Sequence, residues 1–206
     1  MDFKDLKGLY KFYQFSDLSD SGFFNLDNWS VKSYINPIFD TVKNHVISLK
    51  WDNSDLLDKQ EVYIHDNIKS LNMDMIYLRM AKTWGENSYS KRMQVGCLMV
   101  KNKSIISDGY NGSPSGFSNI CEDENMVTLP YVLHAEANAI TKLAKSTQSS
   151  EGATLYVTLS PCFECSKLII QAGIKRLVFS DLYRKTDSIP FLLEAGVEIV
   201  RIKNPY

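Results

Sequence analysis

The sequence predicts an α/β protein: one central mixed sheet of five strands, helices on both faces, and an N-terminal extension with helical content. Three observations predict it. From residue 73 onward, helical and strand patterns alternate in the order α-β-β-α-β-α-β-α-β. The strands of the later, β-α-β half are separated by helical segments, which forces parallel pairing through crossovers. Residues 1–70 have another texture, rich in aromatics, Asp and Asn, with 11 acids against 8 bases, whereas residues 73–206 hold 13 acids against 15 bases. The expected division is an extension over 1–70 and a second, larger domain over 71–206.

Each element has its own warrant. "MDMIYLRMAKTW" places Met73, Ile76 or Tyr77, Met80 and Trp84 at helical spacing. "QVGCLMV" and "SIISDGY" read as two strands joined by the polar turn Lys101-Asn102-Lys103. "LHAEANAITKLAK" is a run of strong helix formers, and "ATLYVTL" is a buried strand. "FECSKLIIQAG" is a helix stopped at Gly173. "RLVFS" is a strand, "IPFLLEAG" a short helix and "VEIVRI" a last strand. In the extension, "NPIFDTVKNHVISLKW" predicts a helix from Pro37 with Ile38, Val42, Val46 and Leu49 on one face. The rest of the extension is turn-rich and carries no recognisable chemistry.

Composition excludes some functions. The formal net charge is −1, so no global basic field attracts a nucleic-acid backbone. No apolar run approaches the roughly 18 residues of a membrane helix, and "MDFKDLKGLYKFY" has no signal-peptide core. The expected location is cytoplasmic. In a reducing compartment, metal binding or catalysis explains cysteines better than disulfides do.

Two of the four cysteines form a C-x-x-C directly after a proline, in "TLSPCFECSKLII". Alone, this spacing fits a redox pair, half a zinc knuckle, part of a catalytic metal site, or chance. A knuckle needs a second C-x-x-C or an H-x-x-H, and neither exists; Cys97 and Cys121 are isolated. What does exist is "HAE", His134 to Glu136. Twenty-five positions after the glutamate, at Pro161, begins P-C-x-x-C. H-x-E followed by P-C-x-x-C is the signature of zinc-dependent nucleobase deaminases. The chemistry needs these residue types. His134, Cys162 and Cys165 supply three ligands and leave a fourth position open, as a catalytic zinc requires. Zinc makes its water acidic enough to act near neutral pH. Glu136, kept free of the metal, can move protons from that water to the ring and to the leaving ammonia. Both pairs fall at predicted helix starts, whose positive ends favour thiolate. Taken singly, a core histidine and buried structural thiols are the commoner outcome; taken together with Pro161 and Glu136, coincidence is a poor explanation.

At these motifs the sequence resembles the deoxycytidylate (dCMP) deaminases of the cytidine-deaminase superfamily, over roughly residues 73–203. "SYSKRMQVGCLMV" is similar to the family's S-x-C-x-R-x-x-V-G-A segment, and "DGYNGSPSGFSN" to its G-Y-N-G-x-P-x-G loop. "YVLHAEANAI" is similar to its Y-V-x-H-A-E-x-N-A-I, and "LYVTLSPCFECSKLIIQAGIKRLVFSD" to its zinc segment. The resemblance implies a three-layer cytidine-deaminase-like fold and hydrolysis of dCMP to dUMP and ammonia, feeding thymidylate synthesis. It implies one catalytic Zn2+ per chain and a homo-oligomer, a hexamer or smaller. It further implies dCTP and dTTP as effectors, with Mg2+ accompanying the bound triphosphate. Asn111 corresponds to the amide that orients ribose and base, and the Ala135 N–H to a donor near the pyrimidine carbonyl. Arg92, Tyr183 and Arg184 correspond to phosphate contacts; the alternative for the two arginines is a solvated surface role, and for Tyr183 simple packing.

Departures from the family pattern are local. The family's second, structural zinc uses His and Cys between the G-Y-N-G loop and H-A-E; here that stretch offers only Cys121, and the cysteine of "YVCHAE" is Leu133. Ser90 stands where the motif cysteine precedes Arg92. Cys97 reads as a small buried hydrophobe. Rival readings are a bifunctional dCMP/dCTP deaminase, a deaminase of tRNA or single-stranded polynucleotide, and a scaffold built on an inactive deaminase. The neutral charge and the G-Y-N-G block favour a free nucleotide over a strand. The intact set His134, Glu136, Cys162 and Cys165 disfavours the inactive scaffold.

Overall fold

The computed structural model describes residues 10–14, 68–203 and 205–206. The predicted helix from Pro37 lies outside the described residues. In chain order the elements are β1 (Tyr10–Gln14), α1 (Ile68–Gly85), β2 (Gly96–Lys101), β3 (Ser104–Tyr110), α2 (Ala135–Leu143), β4 (Thr154–Leu159), α3 (Phe163–Gln171), β5 (Arg176–Asp181), α4 (Ser188–Glu194) and β6 (Glu198–Lys203). The sheet order is β1-β6-β5-β4-β2-β3. β4, β5, β6 and β1 run parallel, while β2 pairs antiparallel with both β4 and β3. The five expected strands and the mixed pairing are present. The sixth strand, β1, comes from the extension and pairs with β6 in the register Tyr10↔Ile199 to Gln14↔Lys203.

Strand alternation sorts side chains to two cores. On one face Cys97, Met99, Leu155, Val157, Leu177, Phe179 and Ile199 pack under α2, α3 and α4. On the other, Leu98, Val100, Tyr156, Val178, Val200 and Ile202 pack with Met75, Leu78 and Ala81 of α1. Successive residues point to opposite faces because the strand period is two, so the near-continuous apolar strands are those of a sheet covered on both sides. Cys97 is fully buried, as a small hydrophobe would be, and burial pushes its thiol pKa well up.

Turn chemistry fixes the register. The β2–β3 connection is two residues, Asn102 and Lys103, at φ +52° and +64°, which is the type I′ geometry that matches strand twist. Two glycines set layer spacing. A Cβ at Gly96 would collide with the Ala81 carbonyl oxygen of α1, and one at Gly109 with the Ala135 carbonyl oxygen of α2. Both helices therefore cross the sheet at backbone contact.

The buried face of α1 is not the one its strongest spacing suggests. Met73, Ile76, Met80 and Trp84 are 36–43% exposed, whereas Met75, Leu78, Ala81 and Tyr77 are buried. The helix carries two apolar stripes, and the stripe holding small Ala81 is the one that can approach Gly96. No helix among the described residues is long and apolar enough to cross a membrane.

Candidate metal centre

The site forms beyond the carboxyl end of β4, where an open α/β sheet presents ligands. Two helix starts meet there. His134 is the N-cap of α2 (φ −72°, ψ 157°) and Cys162 the N-cap of α3 (φ −72°, ψ 169°). Both are extended, so each side chain projects forward of its helix while the free N–H groups of the first turn face the same space. Cys162 Sγ accepts from the Cys165 N–H at 3.5 Å.

Neighbouring contacts explain why these two helix starts converge. α2 is fastened to β3 by Asn138 Nδ2 donating to Tyr110 O (3.0 Å), Ser107 Oγ donating to Ala139 O (2.7 Å) and the Lys142–Asp108 ion pair (2.6 Å). The chain entering α2 makes a two-bond bridge between Gly112 and Leu133, 3.0 and 2.9 Å. This bridge sets Asn111 opposite His134. On the other side, Ser160 N donates to Asp181 O (2.7 Å), and Ser160 Oγ accepts from Tyr183 N (2.8 Å). That contact brings the β5–α4 loop beside the Pro161–Cys162 turn.

His134 Nδ1 lies 3.4 Å from Cys162 Sγ and 3.5 Å from Cys165 Sγ. The three ligand atoms lie within 4.8 Å of one another. A tetrahedral zinc with Zn–N near 2.05 Å and Zn–S near 2.3 Å requires an N···S separation of about 3.6 Å. The two observed separations match, so the residues fit a zinc ion. Donor chemistry agrees: one imidazole and two thiols suit zinc and leave one coordination position free.

The electrostatics describe a centre arranged for a cation. The Cys162 thiol is pulled down to about 4, first by the hydrogen bond from Cys165 and then, against burial, by His134. Cys165 is pushed far up, by that same shared hydrogen bond and by burial. His134 is raised by its hydrogen bond with Cys162, against burial. Metal binding requires each of these donors free of its proton, so a bound cation would displace any proton the trio carries. Glu136, in the first turn of α2, is 3% exposed, and burial pushes its carboxyl up to about 7. It is a carboxyl poised to exchange protons near neutrality.

The remaining expected residues occupy varied positions. Ala135 is fully buried at the first position of α2, where a backbone N–H has no intrahelical acceptor. Asn111 is braced by the chain: Nδ2 donates to Met93 O (2.9 Å) and Oδ1 accepts from Val95 N (2.8 Å). Its amide orientation is thereby fixed, with one N–H and one lone pair left over. Arg92 is exposed, and its Nη1 lies 3.4 Å from Thr128 Oγ1. Arg184 is exposed, its guanidinium carbon 5.6 Å from the ring centre of half-buried Tyr183. Sequence reading misses Glu122, a buried carboxylate bonded to residues 90–92. No spacing motif marks it, because its partners lie about thirty positions upstream. The one available signal is Ser90, a hydroxyl where the family pattern has a thiol.

Comparison with known proteins agrees with this geometry. The family described as "Cytidine and deoxycytidylate deaminase zinc-binding region" matches residues 71–181. The human deoxycytidylate deaminase is 39% identical over 120 residues, covering 54% of this chain and 66% of the human one. The deoxycytidylate deaminase of enterobacteria phage T4 is 35% identical over 170 residues, 61% of this chain and 87% of that one. Among solved structures, the dCMP deaminase of cyanophage S-TIM5, in complex with dCMP and dUMP, superposes with a TM-score of 0.62 at 45% identity. It covers 66% of this chain and 99% of that one. The match thus spans just under two thirds of the human relative's length and nearly all of the cyanophage protein.

Proposed function

The chain belongs to the cytidine and deoxycytidylate deaminase zinc-binding family, and from that premise we propose that it hydrolyses dCMP to dUMP and ammonia. The observation that carries the proposal is the convergence of His134 Nδ1, Cys162 Sγ and Cys165 Sγ at two helix starts beside a buried Glu136. The substrate choice is supported by the 45% identity to the cyanophage dCMP deaminase. Residues 71–206 carry the activity.

His134, Cys162 and Cys165 would hold one Zn2+, which when bound would supply the Lewis acidity that brings the pKa of a water down toward neutrality. Glu136 performs the proton transfers. Its carboxylate takes a proton from the attacking water and delivers it to N3 of the pyrimidine as C4 accepts the oxygen. It then carries the second proton to the exocyclic amine, the C4–N bond breaks, and ammonia leaves. A carboxyl pushed up to about 7 by burial suits both directions of transfer. The Ala135 N–H, free at the helix start, donates to the pyrimidine O2, and the positive end of α2 favours charge there. Asn111, its amide locked by Met93 and Val95, uses its remaining N–H and lone pair for the sugar. Arg92, Tyr183 and Arg184 receive the 5′-phosphate, for which guanidinium forks and a phenol hydroxyl are apt donors.

The finer expectations belong to the same reading. The enzyme acts as a homo-oligomer in the cytoplasm, and dCTP or dTTP, with Mg2+, adjusts its activity. The test is ammonia release from dCMP, CMP, dCTP, deoxycytidine and a cytosine-containing single strand by the zinc-loaded full chain. Each is run with and without added dCTP or dTTP. Preferential turnover of dCMP over deoxycytidine and dCTP supports the proposal; zinc-loaded protein with no turnover of any mononucleotide overturns it.

A further inference from the structure

Glu122 is a carboxylate spent entirely on three consecutive residues. It lies in the long β3–α2 connection, 8% exposed. Its Oε1 accepts from the Ser90 hydroxyl and from Arg92 N (3.3 Å), and its Oε2 accepts from Lys91 N (3.2 Å). Residues 88–95 have no helix or strand of their own, so these bonds define the path of that segment. A second tie runs beneath it: Ser88 Oγ donates to Asn111 O (2.6 Å) and accepts from Ser90 N (3.2 Å).

The same loop reaches the arginine's other end. Glu122 and Thr128 form an isolated antiparallel bridge, and Thr128 Oγ1 is the group beside Arg92 Nη1. Backbone and guanidinium of Arg92 are thus both referred to one short stretch of chain. Among the described residues the guanidinium forms no salt bridge, so its fork stays available for an anion. Burial raises the Glu122 pKa, but the Ser90 hydroxyl, the two N–H groups and the Arg92 charge outweigh it and hold the carboxyl below its usual range. The clamp is therefore ionised at neutral pH.

We propose that Glu122 is a positioning residue: its carboxylate fixes residues 90–92 so that Arg92 presents its guanidinium to the phosphate of a nucleoside monophosphate. The inference rests on the phosphate role proposed above for Arg92. A simple stability role would lower turnover of every substrate alike. A positioning role would lower only what the phosphate contributes, because misplacing a binding group by about 1 Å costs on the order of a hundredfold.

The experiment compares kcat/KM for dCMP and for unphosphorylated deoxycytidine in the zinc-loaded full chain. The variants are Glu122→Ala, Glu122→Gln, Ser90→Ala and Arg92→Ala, with Glu122→Ala/Arg92→Ala as the double. Expected are a fall of about ten- to a hundredfold in the dCMP-to-deoxycytidine preference for Glu122→Ala, and smaller falls for Glu122→Gln and Ser90→Ala. Deoxycytidine turnover is retained, and Glu122→Ala adds no further loss of preference once Arg92 is gone. Equal losses on both substrates, or a full loss of preference in the Arg92→Ala background, would overturn the inference. An unchanged preference in Glu122→Ala alongside a reduced one in Arg92→Ala would overturn it too. An unchanged preference in Arg92→Ala instead removes the phosphate reading of Arg92, and the inference with it. If Glu122→Ala does not fold, Glu122→Gln and Ser90→Ala decide the matter by the same ratio.

Discussion

The two ends of the sheet treat buried polar groups in opposite ways. At the amino ends of β5 and β6, Asp74 of α1 is 3% exposed and receives Arg176 through two bonds of 2.8 and 2.6 Å. Tyr156 OH adds a third bond at 2.7 Å, and Arg176 also reaches Glu198 at 3.4 Å. Every charge there meets an opposite charge with good geometry. At the carboxyl end of β4, two sulfurs, an imidazole and a carboxyl face one another, and among the described residues no arginine or lysine forms a salt bridge with Glu136. One end is closed by charge pairs within the chain; the other gathers donors that suit a cation. Saturated networks rigidify, whereas unsaturated ones are where chemistry happens.

That contrast can be broken from either side. The largest effect should come from Glu136→Ala: kcat falls by about 10²–10⁴-fold, the scale of a lost general acid–base group. Zinc content stays at one ion per chain and the melting temperature does not drop, as metal analysis and a thermal scan would show. Loss of zinc on this substitution would instead make Glu136 a ligand. At the opposite end, Asp74→Ala leaves Arg176 buried with only the longer contact to Glu198, 3.4 Å. We expect a loss of about 3–5 kcal/mol in unfolding free energy, read by denaturant titration, with kcat/KM of the remaining folded protein unchanged. A catalytic defect without a stability defect would show that the two ends are coupled.

A pH titration sharpens the comparison at a lower cost. The folded pKa of Glu122 lies below its unfolded value, so its carboxylate contributes stability above about pH 4.3. That contribution is lost as pH falls through the folded pKa. Glu122→Gln should therefore flatten the acid limb of the melting-temperature profile and leave the region above pH 5 parallel to wild type. Smallest of all, Tyr156→Phe removes one bond to Asp74 while Arg176 still satisfies that carboxylate, so about 1 kcal/mol of stability should go. A loss several times larger would mean that the Asp74 network is held together by the phenol.

The candidate metal centre was legible because its chemistry constrains residue type and spacing together. His134 and Glu136 share a helix start, Cys162 and Cys165 share the next, and the sequence shows both pairs. The strands were legible for the same kind of reason, an apolar run ending in glycine or a polar turn. Two features escaped. α1 carries two apolar stripes, and periodicity alone cannot say which faces inward; the choice depends on Ala81 meeting Gly96 and on Asp74 meeting Arg176, both long-range facts. β1 escaped because "YKFYQ" stands among turn-forming residues, and what makes it a strand is the exposed edge of β6. Glu122 combines both difficulties, an isolated acid whose partners are distant in sequence.

The β1–β6 pairing has a kinetic consequence. Tyr10 pairs with Ile199, 189 positions later in the chain. At a translation rate of roughly 5–20 residues per second, the first strand waits about 10–40 s after its synthesis before its partner exists. During that interval an aromatic segment with unpaired N–H and C=O groups is a template for the wrong neighbour. Lys11, the second residue of the strand, is the kind of charge that blunts such an edge. This edge of the sheet is therefore the one whose completion depends most on the ribosome's timetable and on whatever holds nascent chains apart.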